Sequence, residues 1–291
     1  LAVASGKGGT GETTVTTNLA VHLARSGAHV SCVDADVEEP DAALFLRPEW
    51  HDEQAVEVLV PRVDGSACTL CGRCSEVCEY HAIVALPTTV LVYDELCHSC
   101  GACAMFCPAG AIVERPRRTG TVRRGRVAVG PGRLQVVEGR LDVGEARAVP
   151  VIRAAVNAGR EEDAAVLLVD APPGTSCPAV EALRHSDAVL LVAEPTRFGL
   201  NDLRLAVAMV RELGLRHGVG VNRAGSGDER VHRYCAREGV PVLAELPDDR
   251  RVAEACSRGE LALDAVPGFA AALNRLWEAA ACLARGEVGA A

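Results

Sequence analysis

Eight of the 13 cysteines in this chain fall into two copies of one spacing pattern, and they are its most chemically capable residues. Each copy reads C-x2-C-x2-C-x3-C; the members are Cys68, Cys71, Cys74 and Cys78, then Cys97, Cys100, Cys103 and Cys107. Thiolates are soft ligands, and four of them in one short run are typical of iron–sulfur cluster sites. Structural zinc usually takes two separated cysteine pairs, and disulfides suit small secreted chains. We therefore expect two iron–sulfur clusters.

The two runs resemble those of bacterial ferredoxins with two [4Fe-4S] clusters, in which the fourth cysteine of a run ligates the neighbouring cluster. Pro108 after the second run agrees with this resemblance. It implies one cluster on Cys68, Cys71, Cys74 and Cys107, and a second cluster on Cys97, Cys100, Cys103 and Cys78. An internal repeat, 78–83 against 107–112, extends past the cysteines. We expect an inserted α+β ferredoxin-like domain at 64–116 whose small core depends on its clusters.

A glycine-rich segment near the start of the chain predicts a phosphate-binding loop. It follows the apolar run Leu1–Ala4 and precedes a segment, 14–26, whose apolar residues have helical spacing. In that context backbone N–H groups and a helix N-terminus bind phosphate. The residues predicted to bind nucleotide in this segment are Gly6, Lys7, Gly8, Gly9, Thr10, Gly11, Glu12, Thr13 and Thr14.

The loop departs from the pattern G-x4-G-K-[ST] at one position. Gly6, Gly11 and Thr13 match the pattern, but Glu12 stands where lysine is expected. A carboxylate there repels phosphate, and one charge pair at ~4 Å with an effective dielectric near 20 is worth roughly 4 kcal/mol. We expect weakened nucleotide binding, with hydrolysis impaired further because charge develops there in the transition state.

Lys7, placed among the glycines, resembles the deviant Walker A lysine of the MinD/Mrp/nitrogenase-iron-protein class. Four further segments resemble that class. Residues 34–36 are similar to the end of its second strand with its switch, and residues 166–174 are similar to the Walker B strand with its switch. Residues 221–223 are similar to the adenine-contacting loop, and residues 245–249 to the last strand. The match covers the chain outside the insert. As a whole, the chain resembles MinD-superfamily P-loop ATPases that carry an inserted ferredoxin domain.

This resemblance implies ATP or ADP with Mg²⁺ as ligands, and a homodimer. Thr13 would ligate Mg²⁺, Asp170 would hold a water bound to that ion, and Asp36 would position the attacking water. Lys7 would reach the phosphates of the partner subunit. The residues implied to contact the nucleotide beyond the loop are Asn222 and Pro247.

The remaining pattern predicts an α/β fold. Apolar strands such as 164–170 and 187–193 alternate with helices, which indicates a doubly wound, mostly parallel sheet covered on both faces. This P-loop domain would comprise residues 1–63 and 117–291. We expect a short strand near 55–60 and hairpin-like stretches at 120–129 and 134–143. Ligands bind at the carboxyl ends of such strands, where the loop, Asp36, Asp170 and Asn222 all fall.

Composition excludes some partners. The net charge of −9 argues against a nucleic-acid surface. No stretch has the ~18 apolar residues that a membrane span requires. We expect the helix near 269–285 to pack on the sheet. The absence of a signal segment, together with thiolate ligands, predicts a cytoplasmic protein.

Three functions remain open. The first is an ATPase-class protein, weak or inactive in hydrolysis, that couples nucleotide binding to electron transfer towards an unknown redox partner. The second is an iron–sulfur cluster carrier or assembly scaffold. The third is a ferredoxin-type binding module in which Glu12 has silenced the nucleotide site.

Overall fold

The computed structural model describes residues 1–287, which contain eleven strands and eleven α-helices. The strands are β1 Ala2–Ala4, β2 His29–Asp34, β3 Glu49–Val63, β4 Ile83–Ala85, β5 Val90–Val92, β6 Ile112–Val127, β7 Arg133–Leu141, β8 Val166–Asp170, β9 Val189–Ala193, β10 His217–Ala224 and β11 Val242–Pro247. The helices are α1 Glu12–Arg25, α2 Ala42–Leu46, α3 Arg73–Glu76, α4 Ala102–Met105, α5 Ala148–Glu161, α6 Cys177–Leu183, α7 Arg197–Glu212, α8 Arg230–Glu238, α9 Arg250–Ser257, α10 Ala262–Ala265 and α11 Phe269–Arg285.

Nine of these strands form one sheet in the order β11-β10-β9-β1-β8-β2-β7-β6-β3. Strands β11 to β7 in this order pair in parallel, whereas β6 is antiparallel to both of its neighbours. The predicted mostly parallel α/β sheet is therefore confirmed. The carboxyl ends of its parallel strands meet at one edge, where ligands of such sheets bind.

Helices cover both faces of the sheet. One core lies between the sheet and α5 to α8, and the other lies between the sheet and α1, α10 and α11. In α11 the apolar residues Phe269, Leu273 and Leu276 recur at helical spacing and are at most 2% exposed. Burying each such side chain contributes about 1.5–3 kcal/mol. The last helix packs on the sheet, as the sequence predicted. Within the described residues no helix is long and apolar enough to cross a membrane.

The sheet edge differs from the sequence prediction. The strand expected near 55–60 is part of β3, which has 15 residues, and it pairs along its whole length with the 16-residue β6. The two stretches expected as separate hairpins instead pair with each other as β6 and β7. Arginines crowd β6, and its outer part is exposed on both faces, so it lacks the apolar alternation that marks a half-buried strand.

Strands β3 and β6 leave the sheet as a two-stranded ribbon. Pairing of β6 with β7 stops at Gly120, but its pairing with β3 continues as far as Ile112. A register shift follows Val56, whose carbonyl accepts the Thr119 hydroxyl at 3.1 Å. A Cβ on Gly120 would lie 2.4 Å from the Arg140 carbonyl oxygen, so the departure point requires glycine.

The ribbon carries residues 64–111 beyond the carboxyl edge of the sheet. β3 runs in the same direction as the parallel strands, so its end at Val63 lies past the edge that bears the phosphate-binding loop. The chain beyond the ribbon forms the β4–β5 hairpin and the short helices α3 and α4. β6 is continuous through residue 116, so the module and the sheet share a strand there.

Candidate functional site

The two cysteine runs adopt the same backbone conformation. The second residue after the first cysteine of each run, Leu70 or Ser99, has a positive φ of 57°. Gly72 and Gly101 then have φ of 80° and 73°, and each precedes a one-turn helix. Left-handed residues at equal intervals curl both runs in the same way. The sequence repeat is thus a structural repeat.

Each curled run closes one side of a cavity. The cysteines that line one cavity are Cys78, Cys97, Cys100 and Cys103. The cysteines that line the other cavity are Cys68, Cys71, Cys74 and Cys107. Three cysteines of each cavity come from one run and the fourth comes from the other run. This grouping is the one that the ferredoxin resemblance implies.

The cavities lie at different distances along the ribbon. Leu59 and Glu114 line the first cavity, whereas Val63 and Ile112 line the second. Position 59 is nearer to the sheet than position 63, because β3 leaves the sheet after Val56. We name the cavity containing Cys97 the proximal cavity and the cavity containing Cys68 the distal cavity.

The lining of both cavities suits sulfur-rich groups. The backbone N–H of Ala82 donates to Cys78 Sγ at 3.3 Å, and Ala111 N–H donates to Cys107 Sγ at 3.3 Å. N–H donors of this kind stabilise negatively charged thiolates and tune iron–sulfur clusters. Burial raises the pKa of the Cys103 thiol to about 11, so ligand binding there has to displace a proton.

Four thiols around each cavity, with amide donors to sulfur, fit a [4Fe-4S] cluster. Among residues 1–287, no group of three or more His, Cys, Asp and Glu side chains is arranged to hold a single metal ion.

A third cavity lies over the phosphate-binding loop, at the carboxyl edge of the sheet. It is an open cleft of about 630 Å³. Its lining contains seven of the residues predicted to bind nucleotide: Gly9, Gly11, Glu12, Thr13, Thr14, Asn222 and Pro247. Gly9 and Gly11 have positive φ of 77° and 102°, and α1 begins directly after Gly11. Its size and the adjoining helix N-terminus suit a nucleotide with its phosphates on the loop.

Other predicted loop residues support the loop from behind. Gly6 packs so closely on α7 that a Cβ would lie 2.2 Å from the Asp202 carbonyl oxygen. A Cβ on Gly8 would lie 3.7 Å from Pro173 Cγ, an ordinary van der Waals contact. Thr10 is 3% exposed, and its hydroxyl donates to the Lys7 carbonyl at 2.9 Å. These three residues shape the loop and are not among those that line the cleft.

Glu12 is folded beneath the loop and is only 7% exposed. Its Oε1 lies against the Ser5 hydroxyl, which also lies 2.5 Å from the Lys7 carbonyl oxygen. A serine hydroxyl has one proton, so it cannot donate to both oxygens. The Ser5 hydroxyl is placed to donate to either oxygen. Burial raises the pKa of Glu12 and the Ser5 hydrogen bond opposes that rise, so burial weakens the charge reversal expected from the sequence.

Asp170 ends β8 directly below the loop and is 1% exposed. Thr16 donates to its Oδ1 at 3.0 Å, and Oδ2 has no partner among the described atoms. Burial raises the pKa of Asp170 to about 8 and also raises that of neighbouring Asp34. An orphaned carboxylate oxygen near the Thr13 hydroxyl is a donor set of the hard type that Mg²⁺ prefers. These residues therefore fit the metal role that the resemblance implies.

Lys7 is held within its own chain. Its Nζ lies 3.6 Å from Glu194 Oε2, and Arg223 Nη1 lies 2.7 Å from Glu194 Oε1. Glu194 is 8% exposed and follows β9 at the carboxyl edge. The predicted reach of Lys7 to a partner subunit requires this ion pair to break. Because Lys7 is half-exposed, the pair is worth at most about 1 kcal/mol and does not prevent that movement.

Two further predicted residues have different surroundings from those expected. Asn222 lines the cleft, but its Nδ2 donates to the Thr10 carbonyl at 2.7 Å, so it braces the loop. Asp36 lines a separate cavity of about 560 Å³ together with Pro173 and Ile152 of α5. It is therefore associated with the segment after β8 and with α5, and it is not among the residues lining the cleft.

Sequence reasoning gave no role to several residues that line the cleft: Asp41, Phe45, Glu194, Thr196, Ser226 and Cys256. It singled out the segments 221–223 and 245–249 but gave no role to Arg223 and Asp249, which also line the cleft. Glu194 directly follows β9 and Arg223 is the penultimate residue of β10, so their positions at the carboxyl edge were a usable signal. Phe45 and Cys256 lie in α2 and α9, whose placement on the cleft depends on tertiary packing.

Comparison with known proteins matches residues 1–262 to the CobQ/CobB/MinD/ParA nucleotide binding domain. An uncharacterized protein of Methanocaldococcus jannaschii is 26% identical over 267 residues, which cover 89% of this chain and 90% of that protein. The iron–sulfur cluster carrier protein of Bacillus subtilis is 47% identical, but only over 62 residues, or 20% of this chain and 18% of that protein.

Solved structures show the same fold. The septum site-determining protein MinD of Pyrococcus horikoshii, complexed with Mg-ADP, has a TM-score of 0.59 at 20% identity. The similarity covers 95% of this chain and 93% of that chain. MinD of Pyrococcus furiosus gives a TM-score of 0.58 at 21% identity over 96% of both chains.

Proposed function

Because this chain belongs to the CobQ/CobB/MinD/ParA nucleotide-binding domain family, we propose that it couples nucleotide binding to electron transfer through two [4Fe-4S] clusters. The observation that carries the proposal is the shared edge of the sheet. The nucleotide cleft lies at the carboxyl edge, and the β3–β6 ribbon carries both four-cysteine cavities past the same edge. A conformational change at the cleft would therefore take place at the same edge of the sheet from which the clusters extend.

The proposed ligands are ATP or ADP with Mg²⁺. The loop N–H groups and the start of α1 bind phosphate, while Thr13 and Asp170 supply oxygens for the metal ion. Glu12 leaves the loop without the cation that normally offsets phosphate charge, so binding is weak and hydrolysis is slow. Asp36 near the segment after β8 is the proposed residue for positioning water once that segment moves.

The clusters supply one-electron redox chemistry when bound. Cys78, Cys97, Cys100 and Cys103 would hold the proximal cluster, and Cys68, Cys71, Cys74 and Cys107 would hold the distal cluster. The distal cavity lies farther from the sheet; Leu70, which lines it, is 38% exposed, and Phe106, whose ring lies 5.9 Å from the Arg73 guanidinium of that lining, is 50% exposed. This end is the proposed contact for a redox partner protein. The working form is proposed to be a cytoplasmic homodimer in which Lys7 leaves Glu194 for the partner subunit's nucleotide.

Low-temperature EPR of the dithionite-reduced protein, with and without saturating MgATP, tests the coupling. We expect signals from two interacting [4Fe-4S] clusters that change shape when MgATP binds. Gly11→Ala is the matched control, since a Cβ there would lie 2.4 Å from Asn222 Nδ2 and close the loop. The EPR spectrum of the Gly11→Ala protein should not change when MgATP is added. Spectra of the native chain that stay identical although calorimetry shows bound ATP would contradict coupling.

A second candidate function is delivery of clusters to other proteins. Cys71 and Cys100 are exposed, so each cavity has one cysteine open to an acceptor. The short match to an iron–sulfur cluster carrier protein supports the same idea. Incubation of the loaded protein with an apo-ferredoxin distinguishes the two functions. Fast, complete transfer favours the carrier, whereas clusters that stay bound while electrons pass favour electron transfer.

The third function left open by the sequence was a module with a silent nucleotide site. Calorimetric titration with MgADP and MgATP decides this point. Measurable binding that is lost in Gly11→Ala supports an operating cleft, whereas no binding by the native chain at millimolar nucleotide supports the silent module.

A further inference from the structure

A buried cluster of three charged side chains joins the proximal cavity to the nucleotide-binding body. Glu145, just before α5, is 3% exposed at its side chain and lies between two arginines. Arg147 Nε lies 2.9 Å from Glu145 Oε1, and Arg117 Nη1 lies 2.5 Å from Glu145 Oε2. Arg147 belongs to the body and Arg117 to the ribbon. Two cations and one anion leave a net charge of +1 in this cluster.

Arg147 reaches the lining of the proximal cavity itself. Its Nη1 donates to the backbone carbonyl of Cys97, one of the four cysteines there. The Arg147 side chain is only 12% exposed, so its charge is poorly screened by solvent. Glu145 also accepts the Arg147 backbone N–H at 3.0 Å, so the Glu145 carboxylate contacts both the backbone and the side chain of Arg147.

Helix α5, which begins directly after Arg147, lies beside segments near the nucleotide cleft. Arg147 occupies the N-cap position of α5, and Ala148 and Ile152 of that helix line the cavity shared with Asp36 and Pro173. Helix α5 packs into the core against the sheet. Arg147 thus lies where the body meets the proximal cavity.

We propose that Arg147 is a positioning residue that docks the Cys97 segment on α5, and that its charge raises the reduction potential of the cluster bound in the proximal cavity. The inference rests on the proposed cluster ligation. A cluster held by four thiolates gains negative charge on reduction, so a buried cation nearby favours the reduced state. Glu114, which lines the same cavity, lowers the reduction potential of that cluster.

The distal cavity offers a matched control. Arg73 lines it and pairs with Glu76 at 3.1 Å, but its side chain is 53% exposed. The variants are Arg147→Gln, Arg147→Lys, Glu114→Gln and Arg73→Gln. The first readout is an EPR-monitored redox titration of each holoprotein, and the second is hydrogen exchange of residues 94–101.

We expect Arg147→Gln to lower the midpoint potential of the proximal cluster alone and to increase hydrogen exchange across 94–101. Glu114→Gln should raise the same potential, and Arg73→Gln should leave it unchanged. Arg147→Lys keeps the charge without the planar fork, so it should restore the potential but not the exchange protection.

The proposal is overturned if Arg147→Gln leaves both potentials unchanged, shifts them equally, or leaves exchange at 94–101 as in the native chain. A native protein that binds no iron would refute the proposed function instead.

Discussion

Replacing Glu12 by lysine tests the phosphate-binding loop most directly. The carboxyl group is 7% exposed and shares one hydroxyl with the Lys7 carbonyl, which is consistent with a neutral acid. The substitution then changes the local charge by one unit, which at ~4 Å and an effective dielectric near 20 is worth roughly 4 kcal/mol. Desolvation of the introduced lysine ammonium group offsets part of this free energy. Hydrogen bonds to charged groups retain about 1.5–3 kcal/mol, so MgADP should bind about 10- to 150-fold tighter.

Isothermal titration calorimetry with MgADP on three proteins measures this effect. Glu12→Gln is the control, because it removes the ability to ionise while keeping the shape and neutrality of the acid. If Glu12 is protonated, Glu12→Gln binds MgADP like the native chain and Glu12→Lys binds it more tightly. Tighter binding by Glu12→Gln than by the native chain would show that Glu12 is ionised, and no change in Glu12→Lys would refute the charge reasoning.

The pH dependence of binding gives an independent check. Burial raises the pKa of Glu12, so the neutral form persists to higher pH than for an ordinary glutamate. Above that raised pKa the carboxylate forms and repels phosphate, so affinity falls as the pH rises through it. The ratio of native to Glu12→Gln affinity cancels titration of the nucleotide itself. A ratio that is flat with pH up to the limit of stability would contradict this account.

Three further predictions concern the cysteines, the buried ion cluster and the core. The double variant Cys68→Ser/Cys107→Ser alters one cavity and should keep about half of the iron, whereas Cys68→Ser/Cys78→Ser alters both and should keep little; equal iron in the two would refute the grouping. Partial burial would raise the pKa of Glu145, but hydrogen bonds and charge from Arg147 and Arg117 outweigh it and lower that pKa to about 2, so the cluster stabilises the fold above pH ~4.5 and loses this contribution as the pH falls towards 2. Glu145→Gln should therefore lower the urea midpoint at pH 7 and flatten the loss of stability in acid; an unchanged midpoint counts against it. Ile152→Ala, at a fully buried site of α5, should lower the free energy of unfolding by about 2–5 kcal/mol by urea denaturation, and a loss below 1 kcal/mol would mean that the site collapses around the smaller side chain.

Much of the fold was predictable because its signals are local. The apolar run 189–193 and the helices beside it have the periodicities of a covered parallel sheet, and the structure has that sheet. The grouping of cysteines by cavity was implied by the resemblance to two-cluster ferredoxins. The ribbon was not predictable, because β6 is rich in arginine and its outer part is exposed on both faces.

The electrostatics of the site were not predictable from the chain alone. The position of Glu12 at a lysine site was evident, but its protonation depends on Ser5, seven residues earlier, folding against it. The pairing of Glu145 with Arg117 joins residues 28 apart and depends on how the ribbon leaves the sheet. Such contacts are set by tertiary packing, and residue type or spacing carries no signal for them.

The most direct test is the iron and acid-labile sulfide content of the anaerobically purified chain. Two four-cysteine cavities predict about eight iron and eight sulfide per polypeptide, and little zinc. Zinc in place of iron, or iron far below eight after anaerobic reconstitution, would contradict the assignment of both cavities as cluster sites.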